Sequence, residues 1–346
     1  MTTESSTYQR VKNVRILRRY RWTLIIFILS LIVLTAWSLT LILGQSYTPV
    51  SDVLNVLLGH NVPGASFTVG YLRLPRAILA VLVGMSFGLA GVTFQTMLRN
   101  PLASPDIVGV SSGASAAAVF AIIILNMDGP SVALFSIVVG LMVALTVYGL
   151  SYRNGVAGTR LILIGIGVSA MMESFIAYLL SQASSWDLQE AMRWLTGSIN
   201  SAQLSQSIPL LFSLAIFGGL LLSRTRDLEA LRMGDETAAA LGVNVSLTRI
   251  TVVVCAVGLI AVATSITGPI AFVAFLSGPI ATRIVGSNGS LLIPSALVGA
   301  CLVLVGDYIG QFLLPSRYPV GVITGALGAP YLIYLIIRVN RKGGSL

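Results

Sequence analysis

Apolar residues are gathered into runs of about twenty, separated by shorter stretches rich in charge, glycine and proline. An α-helix rises about 1.5 Å per residue and crosses the hydrocarbon layer in about 20 residues, so runs of this length predict membrane-spanning helices. Reading each run between its polar, Gly or Pro boundaries predicts ten spans, at 22–43, 76–97, 108–126, 131–152, 159–182, 204–223, 248–266, 269–285, 290–310 and 319–338. An even number of crossings returns the C-terminus to its starting side. The expectation is therefore an all-α, polytopic membrane helix bundle: one transmembrane domain over 22–338, with short tails at 1–21 and 339–346.

Composition supports this and excludes much else. Of the 346 residues 55% are hydrophobic and 10% charged, against about 25% charged in ordinary soluble domains. The net charge of +9 comes from basic residues flanking the apolar runs, not from a separate basic domain, so nucleic acid is not the expected partner. Orientation explains the charge better. With the N-terminus cytoplasmic, that side receives Arg10, Lys12, Arg15, Arg18, Arg19, Arg21, Arg99, Arg153, Arg160, Arg224, Arg226, Arg232, Arg249, Arg283, Arg338, Arg341 and Lys342, leaving Arg73, Arg76, Arg193 and Arg317 outside. The positive-inside rule predicts such a bias, and a cytoplasmic membrane location with both termini inside follows. The run after Arg21 is longer than a signal peptide's apolar stretch and lacks a small-residue cleavage pattern, so it reads as an uncleaved first span.

No enzyme constellation is present in the residues. His60 is the single histidine, both lysines lie in the tails, and Cys255 and Cys301 sit in apolar runs without metal-type spacing. No phosphate loop ending in Gly-Lys-Ser/Thr occurs. The expectation is a transport chain without a resident metal or cofactor. Any nucleotide-driven step must then use a separate polypeptide.

Several places stand out by chemistry. The longest internal cytoplasmic loop, 224–248, holds Met233-Gly-Asp-Glu-Thr-Ala-Ala-Ala-Leu-Gly-Val243, in which Asp235 and Glu236 suit a helix start and Gly242 its end. A helix of about seven residues is marginal alone, and its Ala238, Ala239 and Ala240 offer a smooth surface for a partner or for the bundle itself. Outside, Tyr71-Leu-Arg-Leu-Pro-Arg76 puts Arg73 and Arg76 at the mouth of the second span, where guanidinium groups can meet carboxylates or lipid phosphate. Glu173 is the conspicuous ionisable residue inside the membrane, a candidate for the translocation path. Asp106 suits a helix N-terminus, and Asp307 and Arg317 can pair near the outer surface. Breaks at Asn100–Asp106 and at Gly268, Pro269, Gly278 and Pro279 leave backbone groups that must face protein or water, which is consistent with a lined route or with kinks between packed helices.

At Arg73-Leu-Pro-Arg76, Gly88-Leu-Ala-Gly-Val-Thr-Phe-Gln95, Arg99-Asn-Pro-Leu-Ala-Ser-Pro-Asp-Ile-Val-Gly109, Gly234-Asp-Glu-Thr-Ala-Ala-Ala-Leu-Gly242, Gly268-Pro-Ile-Ala-Phe272 and Pro319-Val-Gly-Val-Ile-Thr-Gly-Ala-Leu-Gly-Ala-Pro330, the chain resembles the iron-siderophore/cobalamin ABC importer permeases. Arg153-Asn-Gly155 and Leu161-Ile-Leu-Ile-Gly-Ile-Gly167 further resemble the ferric-enterobactin type, one of two paired permease subunits. The resemblance implies a type II ABC importer permease architecture and a pore of two permeases, a heterodimer by preference over a homodimer. It also implies two cytoplasmic ABC ATPases, where ATP and Mg act, and an extracytoplasmic substrate-binding protein.

Residue by residue, the resemblance makes Arg73 and Arg76 binding-protein docking residues. Gly234, Asp235, Ala238, Leu241 and Gly242 become the coupling helix in the ATPase cleft, and Gly158 and Thr159 the inner gate. Gly165, Gly167, Met172 and Glu173 become the lining of the path. The chain departs from the family pattern at Gly278-Pro279 and at Arg317, which stands where relatives often carry an acid; Gln311 stands where some carry a third docking arginine, a role Arg317 is expected to fill. The function implied is alternating-access import of ferric siderophore. The other readings are an ABC permease for cobalamin or heme, an ion-gradient-driven secondary transporter, and a membrane scaffold.

Overall fold

The computed structural model describes residues 2–105, 109–151, 158–200 and 202–341, and these form helices joined by turns with no strand among them. The first helix, α1 (Thr2–Ile42), contains neither Gly nor Pro and runs without interruption through the segment expected to be a tail. After α2 (Val50–Leu57), a π-helical turn at Ser66–Arg73 leads into α3 (Leu74–Leu98), so the second apolar helix starts ten residues earlier than expected. Pro75 in the first turn of α3 cannot donate to a carbonyl four residues back, and the wider turn ahead of it accommodates that. There follow α4 (Val110–Ile123), α5 (Gly129–Ser151), α6 (Gly158–Gln182) and α7 (Ser185–Leu195). Next come α8 (Ser207–Ser213) and α9 (Gly219–Ser223), joined by a π turn, and the short α10 (Thr225–Leu231) and α11 (Asp235–Ala240). The chain ends with α12 (Val245–Thr267), α13 (Val273–Val285), α14 (Leu292–Tyr308) and α15 (Val320–Arg341).

Seven stretches among the described residues are long and apolar enough to cross a bilayer: Lys12–Ile42, Ser66–Leu98, Gly129–Ser151, Arg160–Gln182, Leu204–Ser223, Val245–Thr267 and Leu292–Leu313. The other three expected spans coincide with the shorter apolar helices Val110–Ile123 and Val273–Val285 and with the apolar stretch Val320–Leu335 of the 22-residue α15. The 14 residues of α4 reach only about 21 Å, short of a hydrocarbon core of about 30 Å. Irregular backbone accounts for α13, where residues 269–272 take up apolar positions that the pattern had counted as helix, while α4 ends at Ile123, three residues before the expected boundary.

Burial orders the helices. The apolar stretch of α3 is 83% buried and forms the centre, with α12, α13 and α14 packed around it, whereas that of α6 is 11% buried and lies at the edge. Small residues set the closest contacts. A side chain at Gly84 or Gly88 would run into the α14 backbone at Gly299 or Ser295, so the two helices touch main chain to main chain. On the other flank α4, lined by Ala114, Ala117, Ala118 and Ala121, packs on α5, and Ser136 Oγ donates to the Ala114 carbonyl at 2.6 Å.

The break expected at Gly278-Pro279 is absent: α13 continues through both, fully buried. Pro279 lacks the N–H that would reach the Phe275 carbonyl, and Gln95 of α3 supplies the missing donor, its Nε2 lying 3.0 Å from that oxygen. Gly278 leaves the room that the Gln95 amide occupies. The real interruption is Gly268–Phe272, between α12 and α13. There three loops meet through their main chains: Ser198 N–H donates to Thr267 O at 2.6 Å, Gly321 N–H donates to Gly197 O at 3.1 Å, and the Gly268 backbone lies against Trp194 O. The irregular backbone of this junction thus finds its partners within the protein, as a lipid surround would require.

Candidate functional site

The most buried of the seven long apolar stretches, α3, carries the expected functional segments at its two ends, 25 residues and about 37 Å apart. At one end lies α11. Asp235 opens it, and its carboxylate accepts two bonds from Arg249 Nη2 of α12, at 2.9 and 2.7 Å. Arg99, the left-handed C-cap of α3 at φ 52°, approaches the same carboxylate at 3.9 Å. Asp235 thereby ties α11 to the ends of two core helices. At the other end of α11, Val243 N–H reaches Ala238 O at 3.0 Å and Gly242 N–H reaches Ala239 O at 2.9 Å, with Gly242 at φ 86°. That is a Schellman cap, and its left-handed residue explains the glycine.

The cap also decides which side of α11 faces outward. Ala238 is fully buried against Ala230, Leu231, Val243 and Val245, so it does not belong to the smooth surface expected of all three alanines. What remains exposed is Met233, Glu236, Thr237, Ala239, Ala240, Leu241 and Gly242. Beside this face α10 forms a second short helix that the loop reading did not foresee. Arg226, Glu229, Arg232, Met233 and Leu241 line an open groove of about 610 Å³ along it.

At the far end of α3 the two expected docking arginines are engaged within the chain. Arg73 Nη1 donates to Leu41 O (2.8 Å), Ile42 O (3.1 Å) and Thr48 Oγ1 (3.1 Å), and Nη2 to Ser46 O (2.8 Å), so the guanidinium closes the C-terminus of α1. Arg76 makes a two-pronged pair with Asp307 of α14, Nε to Oδ2 at 2.5 Å and Nη2 to Oδ1 at 2.6 Å. Asp307 therefore pairs with Arg76 and not with Arg317 as the sequence suggested. Arg317 is exposed, without an ion pair or hydrogen bond among the described residues. Gln311, at the alternative arginine position, is buried and donates to Asn200 Oδ1 at 2.9 Å.

The residues expected to line the path divide between two faces of α6. Gly165 is buried, and Met172 is half-buried in a cluster with Ala116, Val119, Ile176 and Leu179. Gly167 and Glu173 are exposed on the outer face of α6, with Ile166, Ala170, Ala177 and Tyr178 around them. Gly158 and Thr159 sit in the first turn of α6, but the Thr159 side chain, Asp106 and the Arg153–Gly155 triplet lie outside the described residues. Sequence reading missed Arg99, Arg249 and Gln95, whose partners stand 136, 14 and 180 residues away.

No group of three or more His, Cys, Asp or Glu among the described residues can hold a metal ion. The comparisons agree with a transport role. The FecCD transport family model matches residues 28–338. The chain is 39% identical over 329 residues to the ferric enterobactin transport system permease protein FepG of Escherichia coli (strain K12), covering 94% of this chain and 98% of that protein. It is 36% identical over 313 residues to the achromobactin transport system permease protein CbrC of Dickeya dadantii (strain 3937), covering 89% of each. Its fold is similar, at a TM-score of 0.79 and 26% identity, to a chain described as a metal-chelate type ABC transporter in an inward-facing conformation, covering 91% of this chain and 99% of that one. The chain belongs to the FecCD transport family, as a multi-pass membrane permease and not an enzyme.

Proposed function

We propose that this permease imports ferric siderophore across the cytoplasmic membrane by alternating access, powered by two ABC ATPases that bind ATP and Mg on separate chains. The observation that carries the reading is the fastening of α11: a short helix capped at one end by Gly242 and clamped at the other by Asp235 to Arg99 and Arg249. A six-residue helix left to itself would fray. Held this way, it moves with α3 and α12, and a push on its exposed face reaches the core. Met233, Ala239, Ala240 and Leu241 give that face its small apolar character, suited to an ATPase cleft. Siderophore as cargo is supported by the names of the two relatives, which favour iron chelates over cobalamin or heme. The ion-gradient alternative has no support in the family.

Ten crossings follow if the short helices α4 and α13 span together with the irregular backbone beside them and α15 spans along its own length, and the basic bias then sets both termini in the cytoplasm. The outer face of α6 argues for a second permease. A carboxylate at the centre of a lipid-facing helix costs about 2.5–3.5 kcal/mol on insertion scales, and Glu173 has no partner among the described residues. A paired subunit enclosing a water-filled path removes that cost; the likeness to the enterobactin type favours a heterodimer. On the opposite side, Arg317 offers a free cation to a binding protein, while Arg73 and Arg76 would have to exchange their present partners to dock an acid.

Proteoliposomes holding both permeases and the ATPases, with the substrate-binding protein on the face opposite α11, test the reading. They should accumulate ferric siderophore with ATP at the α11 face only, and uptake without nucleotide would overturn it. Ala239→Trp should abolish ATP-driven uptake while binding-protein association persists.

A further inference from the structure

We infer that the chain holds an anionic phospholipid by its headgroup phosphate in a pocket between α1 and the 286–291 turn, on the same side as α11. Arg15, Arg18, Arg19 and Trp22 follow one another at i, i+3, i+4 and i+7, so they share one face of α1. Together with Asn288 and Ser290 they line a pocket of about 340 Å³ containing no acidic side chain. Ser290 also borders the groove beside α10, which places both cavities on one side of the bundle. Trp22 Nε1 donates to Ser290 O at 2.8 Å, so the floor is fixed and not a chance approach of two surfaces. The three guanidinium groups make no ion pair or hydrogen bond among the described residues.

Depth selects the ligand. Trp22 opens the apolar run, and a tryptophan there marks the boundary between hydrocarbon and headgroups. At about 1.5 Å per residue Arg19 lies roughly 4.5 Å and Arg18 roughly 6 Å outside that boundary, within a headgroup layer about 5–8 Å thick, and the backbone of Arg15 lies just beyond it near about 10 Å, from where its long side chain reaches back. A phosphodiester with net negative charge reaches this depth because its acyl chains anchor it there. Basic pockets between spans suit such headgroups, and the forked donors of arginine match phosphate oxygens. The exposed apolar flank of α1, including Leu24, Phe27, Ile28 and Leu31, is available to the acyl chains.

The full-length chain, released from detergent in native mass spectrometry against equimolar phosphatidylglycerol and phosphatidylcholine, tests the site. The wild type should retain phosphatidylglycerol preferentially, and each of Arg15→Gln, Arg18→Gln and Arg19→Gln should lower the preference about fivefold. A second variant guards against a general charge effect: Arg18→Gln and Arg19→Gln combined with Leu17→Arg and Tyr20→Arg keeps the net charge and the orientation signal but moves it to the opposite face of α1. That variant should lose the preference. Retention of the preference there, equal binding of the two lipids by the wild type, or displacement of the lipid by an equal concentration of inorganic phosphate would each overturn the assignment. So would a crosslink from Arg18→Cys to an ATPase subunit in the assembled complex with no lipid bound.

Discussion

At the residue scale, single side chains repair what the backbone leaves undone. Gln95 is the clearest case, since its amide takes the place of the N–H that Pro279 lacks. Leaving a buried carbonyl without a donor costs about 1–3 kcal/mol. Gln95→Leu should lower thermal stability in detergent by that amount, and the loss should largely vanish in a Pro279→Ala background, where the helix supplies its own donor. The Arg76–Asp307 pair behaves differently. Arg76→Ala strands a carboxylate whose side chain is 10% exposed and should destabilise the protein by about 3 kcal/mol, whereas Arg76→Met with Asp307→Leu should recover most of the loss. A melting curve that is equal for the single and the double variant would contradict the pairing. Neither contact was legible in the sequence: Arg76 invited an external acid because Asp307, 231 positions on, had an equally plausible partner nearby in Arg317.

At the element scale, caps and breakers were legible and the fastening between elements was not. The start at Asp235 and the end at Gly242 define α11 from chemistry that lies within one helical turn. By contrast α7 went unseen although Ser184 caps it, its Oγ accepting from Asp187 N–H at 3.3 Å, because the apolar runs on either side dominated the pattern. Gly278-Pro279 misled for the opposite reason: a local breaker was overruled by a donor from another helix. Two variants separate holding α11 from shaping it. Asp235→Asn keeps the helix start but weakens the tie to Arg249 and Arg99, and it should cut transport far more than ATPase binding. Gly242→Ala forces a β-carbon into a left-handed position at a cost of about 1 kcal/mol, and hydrogen exchange at Ala238 to Val243 should quicken. Unchanged exchange would count against the cap.

At the scale of the whole molecule, the membrane class and helix order were legible because they rest on composition and run length, which need no partner. The distribution of burial was not. An apolar helix in lipid and an apolar helix in a core read alike, so the sequence could not tell that α3 is enclosed and α6 peripheral. The outward face of α6 makes a definite expectation: cysteines at Gly167 or Ala170 should crosslink to the partner permease in the assembled complex and resist labelling by reagents dissolved in lipid. Exclusive labelling from lipid would place that face elsewhere.

The meeting of Gly197, Gly268 and Gly321 bears on how such a bundle can change shape. Side chains in contact absorb small displacements by switching rotamers, but carbonyls and amides touching one another have no rotamers to switch. The start of α15, the link between α12 and α13 and the segment after α7 can therefore shift only as one body. Any rearrangement during a transport cycle has to bend the chain beyond this junction, not slide within it.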